Sequence, residues 1–310
     1  MNNKAIVVKG LKKAFKDIEV LKDVNIEVEK GMIYSLLGSN GAGKTTTIKI
    51  LTTLLKADAG SVFMQGIDVL HHPNKIHSMI SLTGQYAAVD ESLTGMENLT
   101  IMGRLHHIKD PKDRANELLR YFDLVKAKDR LVATYSGGMR RKLDIAMSLI
   151  NEPSIIFLDE PTTGLDPQSR HAMWEIIREL NANGVTIFLT TQYLEEAELL
   201  ADRIAILHDG RIMVQGTPDE LKQLLPQGVI EFRFHSVQDL DLSMSLLEDF
   251  PCTCNHDELS MTIISDGSIS HLSKILNIMD TNRIVIQEFI QKKPSLEDVF
   301  LTLINEREAS

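Results

Sequence analysis

Chemistry is first legible in the run Gly38-Ser39-Asn40-Gly41-Ala42-Gly43-Lys44-Thr45-Thr46. It fits G-x-x-x-x-G-K-[ST], a loop whose backbone amides cradle phosphate. Glycines leave those N–H groups open to an anion, and the helix that follows adds the positive end of its dipole. Lys44 supplies a point charge for β- and γ-phosphates, and Thr45 a hydroxyl for Mg²⁺. The expected ligand is a nucleotide. A second pair of groups, Asp159-Glu160, closes the apolar run Ile155-Ile156-Phe157-Leu158. A parallel strand ending in acids beside a phosphate loop places one of them near the metal. Four apolar residues and then an acid make Asp159 the Mg²⁺ acid and Glu160 the base that activates water.

Three further positions gain meaning only beside that loop. Phe15, set among Lys12, Lys13 and Lys16, can stack on an adenine ring, worth about 0.5–1.5 kcal/mol beyond burial. The lysines themselves read as a solvated face. Tyr135-Ser136-Gly137-Gly138-Met139 opens a helix and makes a second anion-binding end; alone it would be a capped helix. Gln85 follows Gly84 where a strand gives way to a loop, and taken alone it is an exposed loop amide.

The surrounding patterns supply the elements that must hold these groups. Met32 to Leu37 is short and mostly apolar, a buried strand, and Ile48, Leu51 and Leu55 form the inward stripe of a helix after the loop. Val24, Ile26 and Val28 alternate with polar neighbours as a half-buried antiparallel strand. Ser61 to Met64 and Ile80 to Gln85 are strand-like. Residues 95 to 150 read as mostly helical: Asp110-Pro111 caps a helix bearing Ala115, Leu118, Leu119 and Phe122. The helix after Ser136 carries Met139, Leu143, Ala146, Met147 and Ile150 on one face. Asp166-Pro167 starts a helix with Met173, Ile176, Ile177 and Leu180 inward, and Val185 to Leu189 is a strand ending at Thr190-Thr191-Gln192.

Gly216-Thr217-Pro218 marks a boundary between a domain at 1–216 and a C-terminal one at 217–310. The latter reads as a small α+β module, roughly βαββαβ, with Ile230, Phe232 and Phe234 alternating on a strand and Ile269, Leu272, Leu276 and Met279 on a helix. Cys252 and Cys254, two apart on a strand, would share a face with His256 in phase. Three ligands with nothing else nearby fall short of a closed tetrahedron, so plain packing is the better reading.

Composition is that of an ordinary soluble protein, 43% hydrophobic and 25% charged over 310 residues. No apolar run approaches the roughly 18–20 residues a membrane span needs. Met1-Asn2-Asn3-Lys4 leads straight into a strand-like segment, so no signal peptide is expected and the chain should stay in the cytoplasm. Any membrane association then comes through a partner. A formal net charge of −10 argues against nucleic acid as that partner.

With Gly38–Thr46, Ser136-Gly137-Gly138 and Leu158-Asp159-Glu160-Pro161 in order, the chain resembles the ATP-binding subunit of an ABC transporter, closely over residues 4 to about 216. Pro294-Ser295-Leu296-Glu297-Asp298-Val299-Phe300 is similar to the C-terminal extension of bacterial drug-export ATPases, the daunorubicin-resistance group. The resemblance implies an α/β fold: a P-loop ABC ATPase domain whose mixed sheet carries an antiparallel β subdomain and a helical subdomain at about 86–150. It makes Phe15 the adenine-stacking aromatic and Gly38, Asn40, Gly41, Gly43, Lys44, Thr45 and Thr46 the phosphate loop, which also contains Ser39 and Ala42. Gln85 becomes the Mg²⁺-linked glutamine that reports to the membrane subunit. Ser136, Gly137 and Gly138 become the signature that contacts the γ-phosphate held by a second copy. Gly164-Leu165-Asp166 matches the loop joining the two copies. ATP and Mg²⁺ are the implied cofactors. A transmembrane permease and a second copy of the chain, closing over nucleotide as a sandwich, are the implied partners, which would hold the chain on the inner face of the membrane.

Three departures stand out: Ser39 where proline is usual, Met139 where glutamine is usual, and Gln192 at the position of the histidine that usually contacts the γ-phosphate. An amide can donate to phosphate but cannot titrate near neutral pH, which favours Glu160 as the base and leaves a hydrolytically weak, regulatory module as the alternative. A soluble ABC ATPase acting on DNA or ribosomes is the other alternative. Only about 90 residues separate Lys44 from Ser136 and they hold no sustained heptads, so the coiled coil of chromosome-maintenance relatives is missing. The chain also carries one set of motifs where translation-type relatives carry two.

Overall fold

The computed structural model describes residues 3–85, 87–225, 228–265, 267–292 and 294–308. They form two compact units, Met1–Thr217 and Pro218–Ser310.

A long hairpin opens the first unit. β1 (Lys4–Phe15) and β2 (Ile18–Glu29) pair antiparallel with Val8 opposite Ile26. Val24, Ile26 and Val28 go wholly into the core while Asn25, Glu27 and Glu29 face out, the period-two division of a one-sided sheet. Lys13 departs from the solvated reading of its cluster, because its ammonium pairs with Asp58 at 2.6 Å. β3 (Ile33–Leu37) is buried throughout and runs into the glycine loop and α1 (Lys44–Leu51). That helix stops before Leu55, where the apolar spacing would carry it. The Thr52 hydroxyl donates back to the Ile48 carbonyl and Thr53 takes a φ of 66°, so Leu55 joins the core from a loop. β4 (Ala59–Met64) and β5 (Ile67–Asp68) complete an antiparallel sheet in the order β2-β1-β4-β5.

After α2 (Pro73–His77) and β6 (Ile80–Thr83) the chain builds its helical part: α3 (Gly95–Leu105), α4 (Pro111–Tyr121) and α5 (Gly137–Ser148). α3 starts with a capping box between Thr94 and Glu97. Asp110 occupies the N-cap of α4 but its side chain makes no capping hydrogen bond; Pro111, with its φ preset for the first turn, begins that helix. β7 (Ile155–Asp159), α6 (Pro167–Ala182), β8 (Thr186–Thr191), α7 (Leu194–Leu200), β9 (Arg203–His208) and β10 (Arg211–Gly216) follow. The second sheet has the order β10-β9-β3-β8-β7-β6, parallel except for β10 at its edge. Parallel strands covered on both faces need continuous apolar runs, and Ile155–Leu158 and Ile187–Leu189 supply them. Tyr34, Phe188 and Phe157 pack ring on ring across β3, β8 and β7, with centroids 5.4 and 5.5 Å apart. This register brings the carboxyl ends of β3, β8, β7 and β6 side by side, where open α/β sheets hold their ligands.

The second unit contains α8 (Pro218–Lys222), β11 (Gly228–Phe234), α9 (Val237–Leu246), β12 (Cys252–Asn255), β13 (Ser260–Ser265), α10 (Ile269–Thr281), β14 (Ile286–Lys292) and α11 (Leu296–Glu308). Its sheet runs β12-β13-β11-β14, all antiparallel. Ile230, Phe232, Phe234, Met261 and Ile263 fill its inner face, with Cys252 and Cys254 packed against them. His256 lies past the end of β12 in an exposed turn, 3.9 Å from Asp241. Among the described residues no group of three or more His, Cys, Asp or Glu could hold a metal. In α10 the buried positions are Ile275 and Met279, with Leu272 and Leu276 partly buried against the core, whereas Ile269 at the first position of the helix is 83% exposed. The Pro294–Phe300 motif is a helix start: Ser295 and Asp298 each accept the other's backbone N–H, at 3.2 and 2.8 Å respectively, while Leu296 and Val299 are buried.

Phe188→Ala removes the ring shared by Tyr34 and Phe157. It is expected to lower the unfolding free energy by about 3–5 kcal/mol, read by urea denaturation from the fluorescence of Trp174, the single tryptophan. A loss below about 1 kcal/mol would show that this aromatic stack does not hold the sheet together.

Candidate functional site

The glycine loop is pinned at both ends. The Gly38 N–H donates to the Thr191 carbonyl at 3.2 Å, tying the loop to the end of β8, and the Ala42 N–H returns to the Ser39 carbonyl at 3.3 Å. A Cβ at Gly38 would stand 2.4 Å from the Leu207 carbonyl oxygen. Gly43, at φ 110°, would place one 2.7 Å from Leu21 and 3.0 Å from the Val20 carbonyl oxygen. The loop is therefore wedged between β2 and β9 with room only for glycine at these two points. Ser39, Asn40 and Gly41 face solvent, Ala42 is buried, and Thr45 and Thr46 sit half-buried in the first turn of α1. Lys44 curls back over its own loop, donating to the Gly38 carbonyl at 2.8 Å and the Ser39 carbonyl at 3.0 Å. Its ammonium stands 3.3 Å from Glu160 Oε1, with both side chains buried (4% and 8% exposed).

The two acids share one threonine. The Thr190 hydroxyl donates to Asp159 Oδ1 at 2.6 Å and accepts the Glu160 N–H at 3.1 Å. The other Glu160 oxygen accepts from Gln85 Nε2 and from the Thr163 hydroxyl, each at 3.2 Å. Glu160 itself sits at φ 49°, a left-handed conformation that costs a non-glycine residue about 1–3 kcal/mol and persists only when its surroundings enforce it. Thr45, Gln85 and Asp159 line one cavity of about 300 Å³ beside Gly84. Hydroxyl, amide carbonyl and carboxylate are hard oxygen donors, the set that suits Mg²⁺ when substrate phosphates supply the remaining ligands.

The other predicted residues fall into place around this centre or at a second one. Phe15 ends β1 on the same hairpin that presses Val20 and Leu21 against Gly43; its ring is 46% exposed, with the Lys13 ammonium 5.5 Å from its centroid. Gln192 follows Thr191, whose carbonyl holds Gly38 and whose hydroxyl accepts the Tyr193 N–H at 2.9 Å. The second group is the signature turn. Ser136 caps α5 by accepting the Met139 N–H at 3.2 Å, and Ser136 and Gly137 are exposed. A Cβ at Gly138 would meet the Ser169 hydroxyl at 2.7 Å. Asp166 caps α6 through the Ser169 hydroxyl at 2.6 Å and N–H at 2.9 Å, and these bonds hold its carboxyl below the usual range. Signature turn and Asp166 loop thus form a patch of their own, with both side chains and amides presented outward.

Four polar residues at the site went unread. Thr190 is hidden in an apolar strand pattern. Glu196 is wholly buried and accepts from the Thr162 hydroxyl at 2.7 Å and the Trp174 indole N–H at 3.0 Å; burial pushes its carboxyl pKa up. It fastens the loop after Glu160 to α6 and α7. Arg141 and Asp144 are buried on α5 and pair at 3.1 Å. Charges three apart on the apolar side of a helix were the available signal.

The sequence profile described as ABC transporter matches residues 21–163. The chain is 43% identical to the daunorubicin/doxorubicin resistance ATP-binding protein DrrA of Streptomyces peucetius, over 97% of this chain and 92% of the relative. Among solved structures it is similar to an ATP-binding subunit of an ABC transporter at 32% identity and a TM-score of 0.64, over 71% of this chain and 92% of the other. It is also similar to a dimeric ATP-binding cassette in a post-hydrolysis state with ADP and Pi bound, at 26% identity and a TM-score of 0.63, over 68% and 98%.

Thr190→Val takes the hydroxyl donor from the buried Asp159 Oδ1, while the Glu160 N–H keeps the Thr190 carbonyl at 3.1 Å. The unfolding free energy is expected to fall by about 1–3 kcal/mol, with Thr190→Ser close to the parent. Equal urea midpoints for the valine and serine variants would contradict this role.

Proposed function

The chain belongs to the ATP-binding subunits of ABC transporters, in their daunorubicin-resistance group, and we propose that it binds MgATP between two copies of itself and spends the hydrolysis on driving a drug or other hydrophobic compound out through a separate membrane subunit. The observation that carries the reading is the buried contact between Lys44, seated on the phosphate loop, and Glu160, which Gln85 and Thr163 also hold. A triphosphate entering the loop takes the Lys44 ammonium for its β- and γ-oxygens and releases Glu160 from that ion pair. Glu160 is then the base that accepts a proton from the attacking water. Asp159, Thr45 and Gln85 would hold Mg²⁺, which neutralises charge on the phosphates when bound. Gln192 donates a hydrogen bond to the γ-phosphate without exchanging a proton, so acid–base work rests on Glu160.

Each chain presents both halves of a site: a phosphate loop with its own acids, and an exposed signature turn. A two-fold dimer puts the Ser136-Gly137-Gly138 end of one copy over the γ-phosphate held by the other, with the Asp166 loops at the seam, since isologous contacts are reciprocal. Phe15 stacks on adenine from the hairpin end. No helix among the described residues is long and apolar enough to cross a membrane. In this reading the transport path lies in a permease, which holds this subunit on the cytoplasmic face and is engaged by the loop beginning at Gln85. Closing on ATP and opening after hydrolysis shifts that permease between its inward- and outward-facing states.

Glu160→Gln should retain nucleotide binding, lower turnover at least about a hundredfold, and give an ATP-dependent dimer by size exclusion; near-normal turnover would remove Glu160 as the base. Lys44→Ala should lose nucleotide affinity, and retained binding would contradict the phosphate-loop reading.

A further inference from the structure

Arg141 lies one turn into the helix that Ser136 caps, yet its contacts reach the backbone on either side of Glu160 and the carbonyl before Gln85. Its guanidinium donates to the Gly84 carbonyl at 2.6 Å, to the Pro161 carbonyl at 2.9 Å and to the Asp159 carbonyl at 3.4 Å. The last two carbonyls flank Glu160 on either side. Asp144, one turn further along α5, accepts from Arg141 with Oδ2 at 3.1 Å and from the Ala88 N–H with Oδ1 at 2.9 Å. Both side chains are buried. Burial works against each charge, pushing the guanidinium down and the carboxyl up, and only their pairing together with the backbone bonds makes the arrangement tenable.

We infer that Arg141 and Asp144 are positioning residues: a clamp on the signature helix that holds Glu160 in its left-handed backbone conformation and holds the loop beginning at Gln85 on both sides of that glutamine. The inference rests on Glu160 being the base. The backbone of the phosphate loop is held independently of the clamp, since Gly38 is tied to Thr191 and Lys44 to Gly38 and Ser39. What depends on it is the aim of one carboxylate and the seating of Gly84 and Ala88. A planar guanidinium suits the task because its fork reaches several carbonyls from one rigid group, which a lysine ammonium does not reproduce. The consequence is that the helix offering Ser136 to a second copy also aims the base of its own copy.

The test uses the full-length chain with Arg141→Ala, Arg141→Lys, Glu160→Gln and the double variant Arg141→Ala/Glu160→Gln. Arg141→Ala is expected to lower kcat for MgATP by about ten- to a hundredfold, the scale of a small misplacement of a catalytic group, while KM and nucleotide affinity change less than about threefold. In the Glu160→Gln background the same substitution should leave the residual rate unchanged within about twofold, because the clamp acts only through that carboxylate. An unchanged kcat in the single variant, or a full multiplicative loss in the double, would overturn the inference. Should Arg141→Ala fail to fold, Arg141→Lys decides: an about tenfold lower kcat with near-parent thermal stability supports the clamp, and a parent-like kcat refutes it. If Glu160→Gln hydrolyses like the parent, the base assignment fails instead. Hydrogen exchange then judges the clamp alone, with faster exchange at the Ala88 amide in Arg141→Lys supporting it and unchanged exchange refuting it.

Discussion

The structure depends on keeping an ammonium and a carboxylate together out of water. Lys44 and Glu160 meet at 3.3 Å with both side chains almost fully buried. Taking two charges into a protein interior costs several kcal/mol each unless further hydrogen bonds accompany the pairing. Here they do: two loop carbonyls on the lysine, an amide and a hydroxyl on the glutamate. Those partners come from the glycine loop after β3, from the loop after β6 and from the segment after β7. The pair therefore demands that three parallel strands end at one level, and the β3-β8-β7-β6 order with its register delivers that. Fold and site are one constraint seen at two scales.

What could be read from the residues followed from short-range causes. The loop at Gly38–Thr46 announces itself because backbone geometry and charge are encoded within nine consecutive positions. Period-two alternation gives β2 and β11, and continuous apolar runs give β3, β7 and β8, because burial on one face or two leaves a direct trace. The misreadings come where a local bond or a distant surface decides. Thr52 turning onto Ile48 ends α1 early, a competition between side chain and backbone that a hydrophobic stripe cannot register. Ile269 fits the helical period, yet as the first residue of α10 it stays exposed while Leu272, one turn on, packs against the core.

The polar residues that hold the acids were the least visible. Thr190 matters because β8 lies beside β7, so its hydroxyl reaches two residues about thirty positions earlier. Glu196 matters because α7 packs where it can receive Trp174 and Thr162. No spacing rule connects such partners. Sheet order does, and sheet order is a property of the whole domain. Charged residues on the inward side of α5 were the one trace present in the sequence, and a helix does not bury an arginine and an aspartate without partners for both.

The separation of the site into two groups is consistent with the proposal that one chain carries two anion-binding helix ends. α1 begins at Lys44 among buried neighbours, whereas α5 begins at Ser136 with its cap and the next glycine open to solvent. A buried helix start with a lysine is a closed receptacle; an exposed one with serine and glycine is a surface waiting for an anion presented from outside. Gly138 against Ser169 and Asp166 on the same helix start place that surface beside the loop that leaves Glu160. Arg141 then joins the exposed group to the buried one within a single turn of α5. An anion engaged at Ser136 would thereby bear on the same N-terminal end of α5 that carries the Arg141 contacts to the Asp159 and Pro161 carbonyls. Substituting Gln192 for a titratable ring leaves this linkage untouched, since the amide sits after β8 and contributes no proton.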